Sequence, residues 1–579
     1  MISKKKERTW LFAGIFAAIW VFLFWKCRFG IANLDEAFYL TVPYRFCQGD
    51  LPLLHEWHLS QTSGLLLTPI MKLYLSVFGG TEGILLRFRW IFTAIWGLGA
   101  LFLYRRLRVF SHHGAMAAAL IFLIYTPFGM MALSYNTMGL LLLLCSCTVL
   151  ASVREHIWLQ QFLAGVLFAG AVLCCPYLLL AYALFCITAF LGLAFQKRSL
   201  ASLWLFFSFG AATVCALVCV PLLLNAPLRR YLEVFPYMLE DPEHELVSLW
   251  SKIKLYVYFT ATSSPLLIPF GVLFIPVALY CSRRKKHLEG FVFVCIQIVA
   301  LLFWYLIREH FPNHLMFPLC LIGLYCAICS RDVEIRKLFL VVWLPGLAYS
   351  FCLNLSSNQL FFAVSSASTV MTVASAVMAA RFLEVESFTE KGSRNLRKTA
   401  ALFFTAVIFL QLGAELYIRY DQIYWDDAGI RAQKHEALSG PEMGIRMNDE
   451  DLNEYSRAMS DFLLLENRQW KTAPEADRED RKLPENSGKI LFLSEKTWSY
   501  LGTKMRNASY SAWISGLNEN TIPRLKKYYA LFPEQEPELI LVGPYYPALT
   551  AELQGLGYER LSIESNYYTF LQRGDSAKW

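Results

Sequence analysis

From Trp10 to Ile418 the sequence is a succession of long apolar runs separated by short connections, about thirteen in all. Such runs are stable only in hydrocarbon, where water cannot serve a stray N–H or C=O and each segment must pair its backbone internally as a helix. They lie at Trp10–Trp25, Phe88–Tyr104, Ala115–Met131, Gly139–Val153, Phe162–Cys175, Leu178–Phe195, Leu203–Leu224, Leu266–Cys281, Phe291–Ile307, Leu315–Cys329, Leu338–Cys352, Leu360–Ala380 and Thr399–Ile418. Only 17% of the chain is charged, against about 25% in soluble globular proteins, and 56% is hydrophobic. More than a third of the charges lie beyond Ile418, so the two parts of the chain face different solvents. The fold class that follows is a polytopic α-helical membrane protein with a small C-terminal α/β domain outside the membrane. Residues 1–419 form the membrane part, with a large first outer loop at 28–87, and residues 420–579 the water-soluble domain.

Charge sets the orientation. Basic connections alternate along the chain: Arg105, Arg106 and Arg108; Arg154; Lys197 and Arg198; Arg283, Arg284, Lys285 and Lys286; Arg331, Arg336 and Lys337; Arg394, Arg397 and Lys398. By the positive-inside rule these face the cytoplasm, together with the basic Lys4, Lys5, Lys6 and Arg8 ahead of the first run. That run ends at Trp25, Lys26, Cys27 and Arg28 with no small-residue cleavage signal, and reads as a retained anchor. The long connections, Arg28–Arg87, Ala226–Ser264 and everything past Tyr420, fall outside. Topology also accounts for the net charge of +8, so no nucleic acid is called for. Of the fifteen cysteines, most sit in apolar runs as small packing residues, and none follows Cys352.

Two segments of the first outer loop read as helices: Glu36–Phe46, a surface helix with Phe38, Val42 and Phe46 on one face and a bend at Pro43, and Leu65–Phe78, too short to span and therefore interfacial or re-entrant. Beyond Tyr420 the pattern alternates: a helix near Asp451–Leu465, a strand at Lys489–Leu493, a helix near Ile522–Leu531, a strand at Glu538–Val542, a helix near Ala548–Leu556 and a strand at Tyr567–Gln572. The charged stretch Thr472–Ser487 reads as a loop. There is no internal repeat and no Gly-rich nucleotide motif.

Asp35 and Glu36 stand just past the first anchor, where a helix begins at the outer membrane surface. A carboxylate held near hydrocarbon has its basicity raised by desolvation and can take a proton from a hydroxyl nucleophile. Ordinary capping explains the same pair: Asp at the N-cap with Glu in the first turn.

The order of features here resembles the GT-C superfamily of membrane glycosyltransferases, in the branch of the protein O-mannosyltransferases and the lipid A aminoarabinose transferase. The matching residues are Asp35-Glu36-Ala37-Phe38-Tyr39, the Gly49-Asp50 turn, the run around Pro69, Lys72 and Phe78-Gly79, and Arg87 or Arg89 entering the second span. The resemblance covers about the first hundred residues and the many-span layout. It implies transfer of a sugar from a polyprenyl-phosphate donor to a glycan or protein acceptor on the non-cytoplasmic face, with Asp35 as the base and Glu36 its neighbour. One departure is plain: where relatives carry a Lys-Pro-Pro-like segment, this chain has His58-Leu59-Ser60-Gln61-Thr62-Ser63, so the donor phosphate needs another cation.

Candidates for that cation are Arg87 and Arg89, and Arg308, His310 and His314 in an outer turn. An arginine fork suits a phosphate leaving group, although arginines at a span's end also snorkel to lipid headgroups. His55-Glu56-Trp57-His58 and His310–His314 have the spacing of metal ligands, which leaves a divalent cation as an open expectation beside their use as ordinary polar residues. Tyr135 and Asn136, within Ser134-Tyr135-Asn136-Thr137, offer an amide and hydroxyls for sugar recognition, or simply a helix cap. Asp241, Glu243, His244 and Glu245 read as a solvated charge run.

The resulting reading is an inverting membrane glycosyltransferase of the cell envelope. Its rivals are a transporter or flippase for lipid-linked sugars, and a polysaccharide polymerase or ligase. A transporter calls for ionisable residues inside the spans, where the sequence shows mainly Ser, Thr, Cys and single Asn or Gln. The orientation is directly testable. In a cysteine-free variant labelled in intact cells with an impermeant thiol reagent, a cysteine near Asp480 is expected to react and one near Lys391 to stay protected. Equal labelling of the two would overturn the assignment.

Overall fold

A computed structural model describes residues 2–31, 35–152, 156–194, 198–240, 248–309, 311–356, 360–389, 394–423, 429–472, 488–514 and 516–579. The chain divides into two compact units. The first takes in the chain up to Lys26, Trp90–Leu217 and Leu246–Gln422; the second takes in Cys27–Arg89, Val218–Glu245 and Ile423–Trp579.

The first unit is helical. Among the described residues of the chain, ten helices are long and apolar enough to cross a membrane: Thr9–Lys26, Ile84–Leu107, Ile157–Cys174, Leu200–Asn225, Leu267–Arg284, His287–Glu309, Pro312–Cys329, Val333–Ser356, Leu360–Val385 and Asn395–Asp421. Three shorter apolar helices, His112–Ile124, Tyr135–Ala151 and Leu178–Gly192, account for the remaining expected runs. All fifteen cysteines are free thiols.

Two sequence expectations change here. The run Ala115–Met131 is helical only to Ile124, because Pro127 drives Thr126 into an extended conformation (φ −139°, ψ 139°) and ends the helix. The turn that follows is held by Asn313, whose Oδ1 accepts from Tyr125 Oη and Phe128 N, both at 2.8 Å, while its Nδ2 donates to Phe362 O at 2.9 Å. The expected scarcity of ionisable groups in the spans also fails at one place. Gln411, Glu415 and Arg419 follow one another at one-turn spacing on the helix Arg394–Asp421, and all three are buried. Gln411 Nε2 donates to Glu415 Oε1 at 3.4 Å, and Arg419 Nη1 donates to Gly129 O at 2.5 Å.

The second unit carries two sheets. Strands β1 (His435–Glu436) and β2 (Arg446–Met447) form an antiparallel pair. Strands β3 (Lys489–Leu493), β4 (Arg506–Asn507), β5 (Leu539–Val542), β6 (Tyr558–Arg560) and β7 (Thr569–Arg573) form a five-stranded sheet in the order β4-β3-β5-β7-β6. β3 is parallel to β4 and β5; β7 is antiparallel to β5 and β6. β3 from Ile490 on and the whole of β5 are apolar and buried, as central strands covered on both faces must be. The helices Asp449–Thr472, Thr521–Leu531 and Pro547–Gly555 complete the α/β unit near the expected positions. β4 and β6 escaped the sequence reading because they are short and polar at their exposed ends. The charged stretch Thr472–Ser487 lies, from residue 473 on, outside the described residues.

The long loop after the first span, expected on the outer side, belongs to this same unit. The helix Asp35–Cys47, expected to rest on the leaflet by one face, is instead buried on all sides from Glu36 to Phe46. Its Arg45 is the reason. Arg45 Nε meets Asp50 Oδ2 and Nη1 meets Glu56 Oε2, both at 2.7 Å, while Nη2 donates to His55 O at 2.9 Å and Ser509 O at 3.0 Å. Glu56 Oε2 also accepts from Ala512 N at 2.9 Å, and the Trp57 ring stacks on Tyr237 and Tyr510. The metal-like spacing at His55–His58 therefore serves an ion-pair network and an aromatic core. By contrast the helix Gln61–Phe78 leaves Leu73, Val77 and Phe78 exposed.

Burial would raise the Asp50 carboxyl, but the Arg45 guanidinium and His55 outweigh it and hold it down at about 2. A depressed carboxylate contributes stability above its unfolded value of about 3.9, and that contribution is lost as the pH falls through about 2. Replacing Arg45 by Met strands two buried carboxylates and is expected to cost about 3–5 kcal/mol, read as a lower melting temperature and folded yield. An unchanged melting temperature would show that the network contributes nothing.

Candidate active site at the head of the first outer loop

The site grows from the first turn of the helix Asp35–Cys47, which presents two adjacent carboxylates. Their surroundings differ. Glu36 is 2% exposed, and its two oxygens receive a fork from Arg89: Nε to Oε1 at 2.5 Å and Nη2 to Oε2 at 2.6 Å. Arg89 also donates to Cys27 O and Gly30 O, each at 2.8 Å. Gly30 has φ +70°, and a Cβ there would strike the Ile423 side chain, so this close approach needs glycine. Asp35 is only partly buried. One position thus separates a carboxylate locked in an ion pair from a carboxylate that solvent can reach.

Arg89, a candidate for the donor phosphate, is accordingly taken up by Glu36 and two carbonyl oxygens; a buried carboxylate demands a paired cation. Arg87 is placed differently. It is half-buried, its guanidinium lies 4.4 Å over the Phe78 ring, and Nη1 donates to Tyr74 Oη at 2.9 Å and Glu82 O at 2.8 Å.

A third carboxylate, which the sequence did not signal, joins this neighbourhood. Glu442 lies in the connection between β1 and β2, a Gly- and Pro-containing turn with no motif. That connection clamps the entry to the helix Ile84–Leu107: Gly83 N donates to Gly440 O at 2.9 Å, Leu85 N to Pro441 O at 3.2 Å, and Gly440 N to Glu82 Oε2 at 2.9 Å. Glu442 is 1% exposed, and its Oε2 has no hydrogen-bond partner among the described residues. Burial pushes its carboxyl up to about 8, with Lys496 opposing and Glu36 adding to the rise.

The other sequence candidates lie in the first unit. Tyr135 and Asn136 open the helix Tyr135–Ala151, where Ser134 and Thr137 form a reciprocal capping box; Asn136 is buried and Tyr135 half-buried. Arg308 is exposed, with its guanidinium 5.7 Å over the Trp304 ring. His314 is buried among the rings of Tyr305, Phe311, Phe361 and Phe362, and neither ring nitrogen has a hydrogen-bond partner among the described residues. His310 lies outside the described residues. Among the described residues no three His, Cys, Asp or Glu side chains come together as a metal site.

No protein-family model matches this chain, and no curated protein matches it. Among solved structures it is similar to the archaeal oligosaccharyltransferase AglB from Archaeoglobus fulgidus, determined in complex with an inhibitory peptide and a dolichol-phosphate. That likeness has 12% identity, covers 97% of this chain and 74% of that one, and has a TM-score of 0.41. It is also similar to the apo form of the Archaeoglobus fulgidus oligosaccharyltransferase, at 12% identity over 96% of this chain and 74% of that one, TM-score 0.43.

Because the folded-state value of Glu442 stands above its unfolded value of about 4.3, its contribution to stability is full below that value and is lost as the pH rises through about 8. Glu442→Gln keeps the shape and removes the titration. Thermal melts of both proteins from pH 5 to 9 are expected to show the wild type losing stability relative to the variant as the pH rises. A constant difference across that range would mean that Glu442 carries charge throughout.

Proposed function

We propose that this chain is a membrane glycosyltransferase that moves a sugar from a polyprenyl-phosphate donor to an acceptor hydroxyl outside the cytoplasm, with inversion at the anomeric carbon. The observation that carries the reading is the division of labour within Asp35-Glu36: Glu36 is consumed by Arg89, while its neighbour, held by the same helix turn, keeps contact with solvent. In this scheme the Asp35 carboxylate takes the proton of the acceptor hydroxyl as that oxygen attacks the anomeric carbon. The bond from that carbon to the phosphate oxygen breaks, and the polyprenyl phosphate leaves with the electron pair. Glu36 and Arg89 act as positioning residues that set the helix turn from which Asp35 projects. The donor phosphate is assigned to Arg87, the arginine at the entry to the second span that retains exposure. The many apolar helices supply a hydrocarbon-compatible environment for the donor's lipid.

A transporter of lipid-linked sugars gains one observation in its favour, the buried Glu415. That carboxylate sits one turn from Arg419 and accepts from Gln411, which is also the arrangement of a polar contact holding a bundle together.

Asp35→Asn preserves size and capping ability while removing proton acceptance. With a lipid-linked sugar as substrate and release of polyprenyl phosphate as the readout, turnover per folded molecule is expected to fall about a hundred- to ten-thousand-fold. If Asp35 only caps the helix, Asn will be nearly silent and Ala will lower stability by about 1 kcal/mol. A folded Asn variant with wild-type turnover removes Asp35 from the mechanism.

A further inference from the structure

The helix Leu228–Leu239 belongs to the long second outer connection and to the second compact unit. It has three chemically different sides. One faces the core of that unit: Val234 and Met238 are buried in the cluster that holds Trp57, Tyr510 and Tyr528. The Tyr237 ring stacks on Trp57 at 5.0 Å, Arg230 Nη2 donates to Leu531 O at 2.5 Å, and Arg524 Nη2 donates to Tyr237 O at 2.8 Å. A second, polar edge carries Arg229, Glu233 and Glu240, with Arg229 Nε on Glu233 Oε1 at 3.0 Å.

The third side is bare and apolar. Leu228, Leu232, Phe235 and Leu239 are 59%, 63%, 51% and 48% exposed. Their spacing is i, i+4, i+7 and i+11, which at 100° per residue gathers all four into about 60° of arc. Large exposed apolar side chains on a water-facing surface normally occur singly; four in a row mark a surface with an apolar partner.

Continuity identifies the partner. The preceding helix, Leu200–Asn225, is one of the membrane-spanning candidates, and its last turns, in this same unit, expose Val220, Leu223 and Leu224. The turn from one helix to the next is fixed: Ala226 N donates to Leu222 O at 3.1 Å, Tyr231 Oη donates to the same Leu222 O at 2.8 Å, and Pro227 takes the extended conformation that redirects the chain. A lipid-facing surface therefore runs, through a rigid corner, into the bare stripe.

We propose that the helix Leu228–Leu239 is an interfacial helix that lays Leu228, Leu232, Phe235 and Leu239 into the phospholipid leaflet reached by the span at Asn225. Its opposite side grips the α/β core, so the helix docks that unit on the bilayer. This inference does not depend on the reaction proposed above.

The test uses the full chain in phospholipid nanodiscs, with a benzophenone amino acid replacing Leu232 or Phe235 in turn, and Leu217, exposed on the span, as the benchmark. After irradiation, adducts are identified by mass. Phospholipid adducts at both positions are expected at a yield within about threefold of that at Leu217, as for side chains at the acyl boundary. Absence of lipid adduct at either position while Leu217 gives one, or an adduct to a second copy of the chain in its place, overturns the proposal. Both substitutions fall on exposed side chains, and thermal melting of each variant confirms that it is folded.

Discussion

A charged side chain taken out of water must be paired and fully hydrogen-bonded, and that demand organises the long loop after the first span. The helix Asp35–Cys47 has thirteen residues and a proline inside, too little to be stable alone. It is pinned near both ends by buried guanidinium groups. At its start Arg89 forks onto Glu36 and gathers the carbonyls of Cys27 and Gly30. Near its end Arg45 joins Asp50, Glu56 and the backbone of His55 and Ser509. The second cluster reaches across more than four hundred positions of sequence to make the loop and the α/β domain one unit.

This pinning differentiates three chemically similar carboxylates. Glu36 is matched to the Arg89 guanidinium, Glu442 is a buried acid whose proton is retained toward neutral pH, and Asp35 stands where solvent reaches it. Environment alone separates them, since the side chains are alike in intrinsic acidity.

The membrane part obeys a complementary rule. Its helices satisfy their own backbones, so what remains to be specified is how they pack, and here small residues and isolated polar groups act. Gly114 lets one helix approach within contact of the backbone at Val377, and Asn313 holds the turn around Phe128 with three hydrogen bonds. Gln411, Glu415 and Arg419 are buried on the last span for the same reason: in the absence of water they find partners in the chain.

Hydropathy and charge placement in the sequence alone determined the spans, their expected orientation and the existence of an α/β unit, because hydrocarbon and water each impose a strong local pattern. The strand Lys489–Leu493 and the helix at 521–531 were legible for the same reason: their apolar periodicity is local. The adjacent Asp35 and Glu36 were visible as a pair. Their separation into a paired and an accessible carboxylate was not, since it depends on Arg89, more than fifty residues away. Nor could sequence find Glu442, which lies in a turn without any motif and acquires its character only by being packed against the entry to the second span. Burial is a property of what surrounds a residue, and for charged groups in this chain those surroundings come from distant segments that only the tertiary structure brings together.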